Sequence, residues 1–378
     1  MKMLKLRYAT FLLFCMVALL SWGEECSDST QHKISRVRRI VRNFSSIDTA
    51  YIEPQHYNWS AMIQNTNTFE SYHMRNKNGH EYYFSPDPSY KLGPYFGWRW
   101  VFLGYTIDLV HLGASDKKQD FNLSLYSNQI GVDLFYRKSG NDYHIAGINL
   151  GKKFDTSAMK NVDFKDLSSS IKGFNLYYIF NHRKFSYPAA YAQSTRQKRS
   201  CGTAIAGIGY TKHSLDINWT ALQELAATRL SKEVMSVMDS SMTFSNIDYS
   251  AYNVSGGYAY NWVFARNFLF DISVQACLAY KRATNEVKST NLKNFLDFDF
   301  RNLNVDGILR SAVVWNNNRW YAGCSSVWQF ITYHRKEFYT NNIFGNLNFY
   351  IALIPQPYSI SHGIAAKSHQ PCDFSSSS

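Results

Sequence analysis

In residues 267–281 every even position is apolar, running Phe268, Phe270, Ile272, Val274, Ala276, Leu278 and Tyr280. The odd positions include Asn267, Asp271, Ser273, Gln275 and Lys281. A period of two is the signature of a strand with two different faces. Length is the constraint. A strand in a soluble sandwich holds about five or six residues, whereas this pattern persists over fifteen and recurs over 303–315 with Leu303, Val305, Leu309, Val313 and Trp315 against Asn304, Asp306 and Arg310. Shorter copies occur at Ile130, Val132, Leu134 and Tyr136 against Asp133 and Arg137, at 174–180, and at 343–353. Strands of about 9–11 residues tilted near 45° cross a bilayer. In hydrocarbon every backbone N–H and C=O must be paired inside the protein, so such strands close on themselves. The pattern predicts an all-β chain: a transmembrane antiparallel β-barrel of about 12 strands, with 10–14 allowed. Aromatic residues near strand ends, among them Tyr258, Tyr260, Trp262, Trp315, Trp320 and Tyr321, are expected to form an interfacial girdle.

Composition agrees with this. Aromatic residues make up 16% of the 378 positions and charged residues 18%, with only 8 Pro, which disfavours disordered, collagenous and coiled-coil chains. The net charge of +12 is diluted by aromatics along most of the chain, so no nucleic-acid partner is expected. Lys2, Lys5 and Arg7 ahead of the apolar run 11–20 and the small residues Ser21 and Gly23 read as a signal peptide over 1–23. Residues 24–55 are expected to form a solvated periplasmic lead-in, 56–354 the barrel with an initial hairpin at 57–85 and a long loop at 213–249, and 355–378 an irregular tail. The hairpin rests on Asn78-Gly79. Further short turns are expected at 139–142, 264–266 and 316–318, and longer connections at 151–170, 283–301 and 334–341. Within the long loop Leu222, Leu225, Ala226, Leu230, Val234, Val237 and Met238 recur at helical spacing, which suggests a surface helix in preference to one that lies over the barrel mouth or folds into the lumen.

The same alternation assigns the polar phase to the lumen. The lumen-facing candidates are Asp133, Arg137, Asp271, Gln275, Lys281, Asp306 and Arg310, and Asp133, Asp271 and Asp306 are expected to pair with Arg137, Arg310 or Lys281. No GxSxG or HExxH string is present. His73, His80, His144, His182, His213 and His334 fall near predicted strand ends or loops, where a solvated histidine is the ordinary outcome. Cys26, Cys201, Cys277, Cys324 and Cys372 show neither a disulfide framework nor a metal knuckle, and no cofactor or metal is expected. Trp98 and Trp100 around Arg99 suit either an interface girdle or the stacking of a glycan.

With the strands placed, six strings carry a family resemblance: 48–54 (DTAYIEP), 64–67 (QNTN), 84–88 (FSPDP), 93–100 (GPYFGWRW), 185–190 (FSYPAA) and 257–262 (GYAYNW). The chain resembles an uncharacterised Bacteroidetes outer-membrane family, domain of unknown function 4421, over about residues 48–351. The resemblance implies a cell-envelope barrel exported by a signal peptide. It brings no assigned activity and transfers no catalytic residue.

The function expected is that of a Gram-negative outer-membrane barrel, leaning non-enzymatic: a narrow channel, or a structural or ligand-binding envelope protein. Its partners would be outer-membrane lipid, the barrel-assembly machinery and a small solute or glycan. About twelve strands leave a lumen that side chains fill, whereas wide aqueous pores need ~16–18. Two other classes compete: a barrel enzyme acting on lipid or peptide, and a secreted soluble β-sandwich binding glycans. The sandwich requires Phe268, Phe270 and Ile272 inside a water-soluble core.

Overall fold

A computed structural model describes residues 46–54, 59–98, 101–104, 107–108, 119–139, 142–238, 246–283, 299–335 and 338–353. The expected signal peptide, most of the lead-in and the tail lie outside them. In chain order the strands are β1 (Ile52–Pro54), β2 (Trp59–Asn76), β3 (Glu81–Pro86), β4 (Ser89–Trp98), β5 (Val101–Gly104) and β6 (Ile107–Asp108). There follow β7 (Gln119–Tyr126), β8 (Ile130–Lys138), β9 (Tyr143–Asn149), β10 (Val162–Asp163), β11 (Leu167–Ile179), β12 (Thr195–Gln197) and β13 (Cys201–Ile217). Helices α1 (Trp219–Ala227) and α2 (Lys232–Met238) precede β14 (Asn246–Ala265), β15 (Phe268–Ala283), β16 (Leu303–Asn316), β17 (Trp320–His334) and β18 (Phe338–Leu353).

The wall is an all-β antiparallel barrel sheet. Its hydrogen-bonded order is β4–β2–β18–β17–β16–β15–β14–β13–β11–β8–β7, and both β5 and β6 pair with the free edge of β4, as two halves of one interrupted strand. Counted that way, the described residues form twelve staves of the wall. Between β7 and the β4–β6 edge, side chains and not a ladder join the described residues: Lys91 Nζ lies 2.9 Å from Asp120 Oδ2, and Arg137 Nη1 lies 3.7 Å from Glu70 Oε2.

Alternation dictates which way each side chain points. On β15, Phe268, Ile272, Val274 and Leu278 lie on the outer surface, Val274 at 57% exposure, while Asp271, Gln275 and Lys281 face inward with at most 2%. Val305 and Val313 are likewise outside and Arg310 inside. A β-sandwich would reverse these faces, so that alternative is excluded by the outward Phe268 and Ile272.

Two ends can be distinguished. The turn end carries the tight β7–β8, β14–β15 and β16–β17 connections, where Asn267 (φ 69°) and Asn318 (φ 68°) take the left-handed conformation that Asn tolerates. The cap end carries the β2–β3 hairpin, with Gly79 at φ 81°, the β8–β11 connection containing β9 and β10, and the two helices. There β3, β9, α1 and α2 bury Tyr82, Phe84, Ile145, Leu222, Ala226 and Val234 against the inner faces of β2, β13, β14, β17 and β18.

Several expectations change. Residues 139–142 do not form a hairpin, because β9 leaves the wall and pairs with β3 and β10. Between 334 and 341 pairing continues to His334↔Tyr339, so that connection is short. Pairing also runs to Ile217 on β13 and resumes at Asn246, and the surface helix becomes two helices with Trp219, Leu222, Ala226, Val234 and Met238 buried. Tyr321 belongs to no girdle: it is fully buried inside the wall. The end of the lead-in is not solvated, since β1 pairs with β12 and Ile52 is buried.

Candidate functional site

The candidate site is the lumen, which is occupied in three layers. At its centre Arg310, with no exposed side-chain surface, donates from Nη2 to Asp133 Oδ2 at 2.6 Å, bridging β16 and β8. Ser124 Oγ donates to the other Asp133 oxygen at 2.7 Å. The guanidinium lies over the Tyr177 ring, 4.8 Å from its centroid. Tyr177 can occupy that position because its register partner on β8 is Gly131, where a Cβ would come within 2.1 Å of the ring. Buried charges are tolerated when paired and hydrogen-bonded.

Toward the cap end, Lys281 Nζ donates to Asp306 Oδ1 at 2.7 Å and to the Thr332 carbonyl. Arg137 lies 3.6 Å from Asp120 and 3.7 Å from Glu70, and Tyr143 donates to Glu70 Oε1 at 2.6 Å. Above them Tyr72, His213, Tyr249 and Phe344 form an aromatic cluster. His213 is therefore not a solvated loop residue; it is stacked 5.8 Å from Tyr72 and buried. Tyr72 bridges Ser169 and His213, but all three are closed off in this core, where no substrate reaches a serine nucleophile.

At the turn end, residues 181–199 fold inward as a plug. Pro188 opens one turn of π-helix through Ala192, closed by Gln193 at φ 56°. The plug is fixed to several staves. Tyr187 donates to Ser273 Oγ at 2.6 Å, Tyr191 to Asp271 Oδ1 at 2.6 Å, and Tyr350 to the Ala190 carbonyl at 3.3 Å. Asn261 Nδ2 donates to the Ser186 carbonyl at 2.9 Å. Burial and the neighbouring Asp271 carboxylate hold the Tyr191 phenol well above its usual range, so it stays a donor. Ala189 and Ala190 pack against Leu269, Ala312, Val314 and Tyr350.

The structure thus places Asp133, Arg137, Asp271, Gln275, Lys281, Asp306 and Arg310 on the inner face and gathers all but Gln275, whose amide nitrogen is buried without a hydrogen-bond partner, with partners from other elements. Asp271 takes Tyr191 of the plug as its hydrogen-bond partner and forms no ion pair among the described residues. Sequence reasoning missed the plug and its tyrosines; the available signal was an apolar stretch, Phe185 to Ala192, in a connection that water would otherwise make polar. The side chains of Trp98, Arg99 and Trp100 lie outside the described residues. Cys201, Cys277 and Cys324 are free thiols, and no cluster of three or more His, Cys, Asp or Glu that could hold a metal occurs among the described residues.

A curled antiparallel wall that is apolar outside and polar inside defines an outer-membrane-type β-barrel protein. The chain belongs to the family described as Domain of unknown function (DUF4421), whose model matches residues 46–353. No curated protein matches it. Among solved structures it is similar to the P. putida toluene transporter TodX, at 9% identity and TM-score 0.22, covering 82% of this chain and 94% of that one. It is also similar to OprG from Pseudomonas aeruginosa, at 8% and 0.23, covering 80% and 99%. OmpT of Vibrio cholerae matches at 7% and 0.23, covering 77% and 97%. Overlap this low leaves the function to be argued from this chain's own residues.

Proposed function

We propose that this protein is a sealed barrel of a Gram-negative outer membrane, a structural or ligand-binding envelope protein and not an open channel. The observation that carries the reading is the filled lumen. Plug, central Arg310–Asp133 pair and aromatic cap follow one another along the axis, and the space beside Arg137 and Phe344 is about 40 Å³. That is room for a few waters and no solute. The membrane setting is supported by the outward row Phe268, Ile272, Val274 and Leu278, which hydrocarbon would cover. The turn end would face the periplasm and the cap end the exterior, and any ligand would bind on the cap or the wall.

The test is purification from outer membranes in detergent, comparison of boiled and unboiled gel mobility, and recording in planar bilayers. A heat-modifiable band without steady conductance is expected. Stable single-channel steps would overturn the sealed reading, and partition into the aqueous phase without detergent would overturn the membrane reading.

A further inference from the structure

On the outer wall, the register aligns Lys172 of β11 directly with Lys212 of β13, Lys212 with Ser250 of β14, and Ser250 with Arg282 of β15. One row across four adjacent staves thus carries three cations and no carboxylate. Two residues nearer the turn end, a second row holds Phe174, Tyr210, Tyr252 and Tyr280 in register. The Tyr210 and Tyr252 rings stand 5.2 Å apart and the Tyr210 hydroxyl lies 3.2 Å from Ser250 Oγ. Below that again come the apolar Ile208, Val254 and Leu278, at 54%, 64% and 53% exposure.

The order along the wall is therefore apolar, amphipathic aromatic, cationic, with about 6–7 Å between successive rows. This is the sequence of environments met on leaving a bilayer through its headgroups. Like charges directly opposite on neighbouring strands destabilise a sheet, yet Lys172 and Lys212 are so placed, and neither they nor Arg282 form an ion pair among the described residues. Asp248 and Asp216 sit farther toward the cap end and leave the row itself wholly positive. An anion lying over the row would turn this repulsion into attraction.

We infer that the Lys172–Lys212–Arg282 row is a binding surface for the phosphate groups of anionic lipids in the cap-end leaflet. This rests on the membrane reading above. Each cation that engages a headgroup phosphate contributes a preference for anionic over zwitterionic lipid of about fivefold.

The test uses the full chain in micelles with equimolar phosphatidylglycerol and phosphatidylcholine, with bound lipid counted by native mass spectrometry. Wild type is expected to favour phosphatidylglycerol at least fivefold, and K172Q/K212Q/R282Q to bind both nearly equally while keeping its heat-modifiable band. The control R266Q/R319Q, at the turn end, should behave as wild type. A triple variant with undiminished preference, or a control that loses as much, would overturn the inference. So would inorganic phosphate at millimolar concentration displacing the bound phosphatidylglycerol, which would mark a free-anion site. Loss of the heat-modifiable band in wild type itself would instead refute the membrane reading.

Discussion

The Arg310–Asp133 pair offers a quantitative test of how the lumen is held. Arg310 is fully buried, Asp133 retains 12% side-chain exposure, and their 2.6 Å contact joins staves five apart in the wall order. Removing one partner leaves the other charge unpaired, which costs about 3–5 kcal/mol, whereas replacing both with apolar groups of similar volume is often neutral. Arg310→Met alone should therefore lower the unfolding free energy by about 3–5 kcal/mol, a factor of roughly 150 to 5,000 in the folded-to-unfolded ratio. Asp133→Leu alone should cost a similar amount and also orphans the Ser124 hydroxyl. The double variant should recover most of the loss, with residual destabilisation of about 1 kcal/mol from the Ser124 bond. The assay is a urea titration in micelles read by gel mobility and near-ultraviolet circular dichroism. Single variants costing less than about 1 kcal/mol, or a double variant costing the sum of the singles, would refute the claim that this pair is desolvated and coupled.

Other outcomes follow from the same structure. Gly131→Ala puts a Cβ within 2.1 Å of the Tyr177 ring and should destabilise by about 1–3 kcal/mol in the same titration, with near-additivity to Arg310→Met counting against the stacked arrangement. Ala190→Leu overfills the contact between plug and wall and should also cost about 1–3 kcal/mol. Val274→Arg, midway along an outward strand face, should cost about 2–4 kcal/mol in lipid if that face meets hydrocarbon; an effect near zero would place the face in water. Replacing 186–193 by a Gly-Ser linker should still give no conductance steps in planar bilayers, because the Arg310–Asp133 pair and the aromatic cap remain across the axis, and steady steps would refute their independence from the plug.

What the sequence disclosed depended on whether two residues or many decide an outcome. Alternation on β15 and β16 is local, so the outward Phe268 and Val274 and the inward Asp271 and Arg310 could be assigned without tertiary knowledge. Partner choice is not local. Asp133 meets Arg310, 177 residues away, because the barrel diameter brings β8 and β16 within reach, a distance no spacing encodes. The plug was illegible for a related reason: Phe185 and Tyr187 look like any aromatic pair until β7, β11, β13 and β14 supply the walls that bury them. The helical spacing of Leu222, Ala226 and Val234 was visible, whereas its burial required β3 and β9 to be placed over the same mouth.

The plug also bounds how often the lumen can open. Beside longer bonds of Gln193 and Gln197 to the wall, four hydrogen bonds tie it there from Tyr187, Tyr191, Asn261 and Tyr350. At a net 0.5–1.5 kcal/mol each they contribute about 2–6 kcal/mol, to which the contacts of Ala189 and Ala190 add. Even the middle of that range leaves an undocked plug in about one molecule in a thousand. Undocking would also strip Asp271 of its Tyr191 donor inside the barrel, where a bare carboxylate is costly. And an undocked plug opens only the turn end, because Arg310–Asp133 and the aromatic cap close the axis independently. Three barriers in series make spontaneous permeation rarer than any one of them, so a solute that did cross would have to supply the binding free energy for each rearrangement.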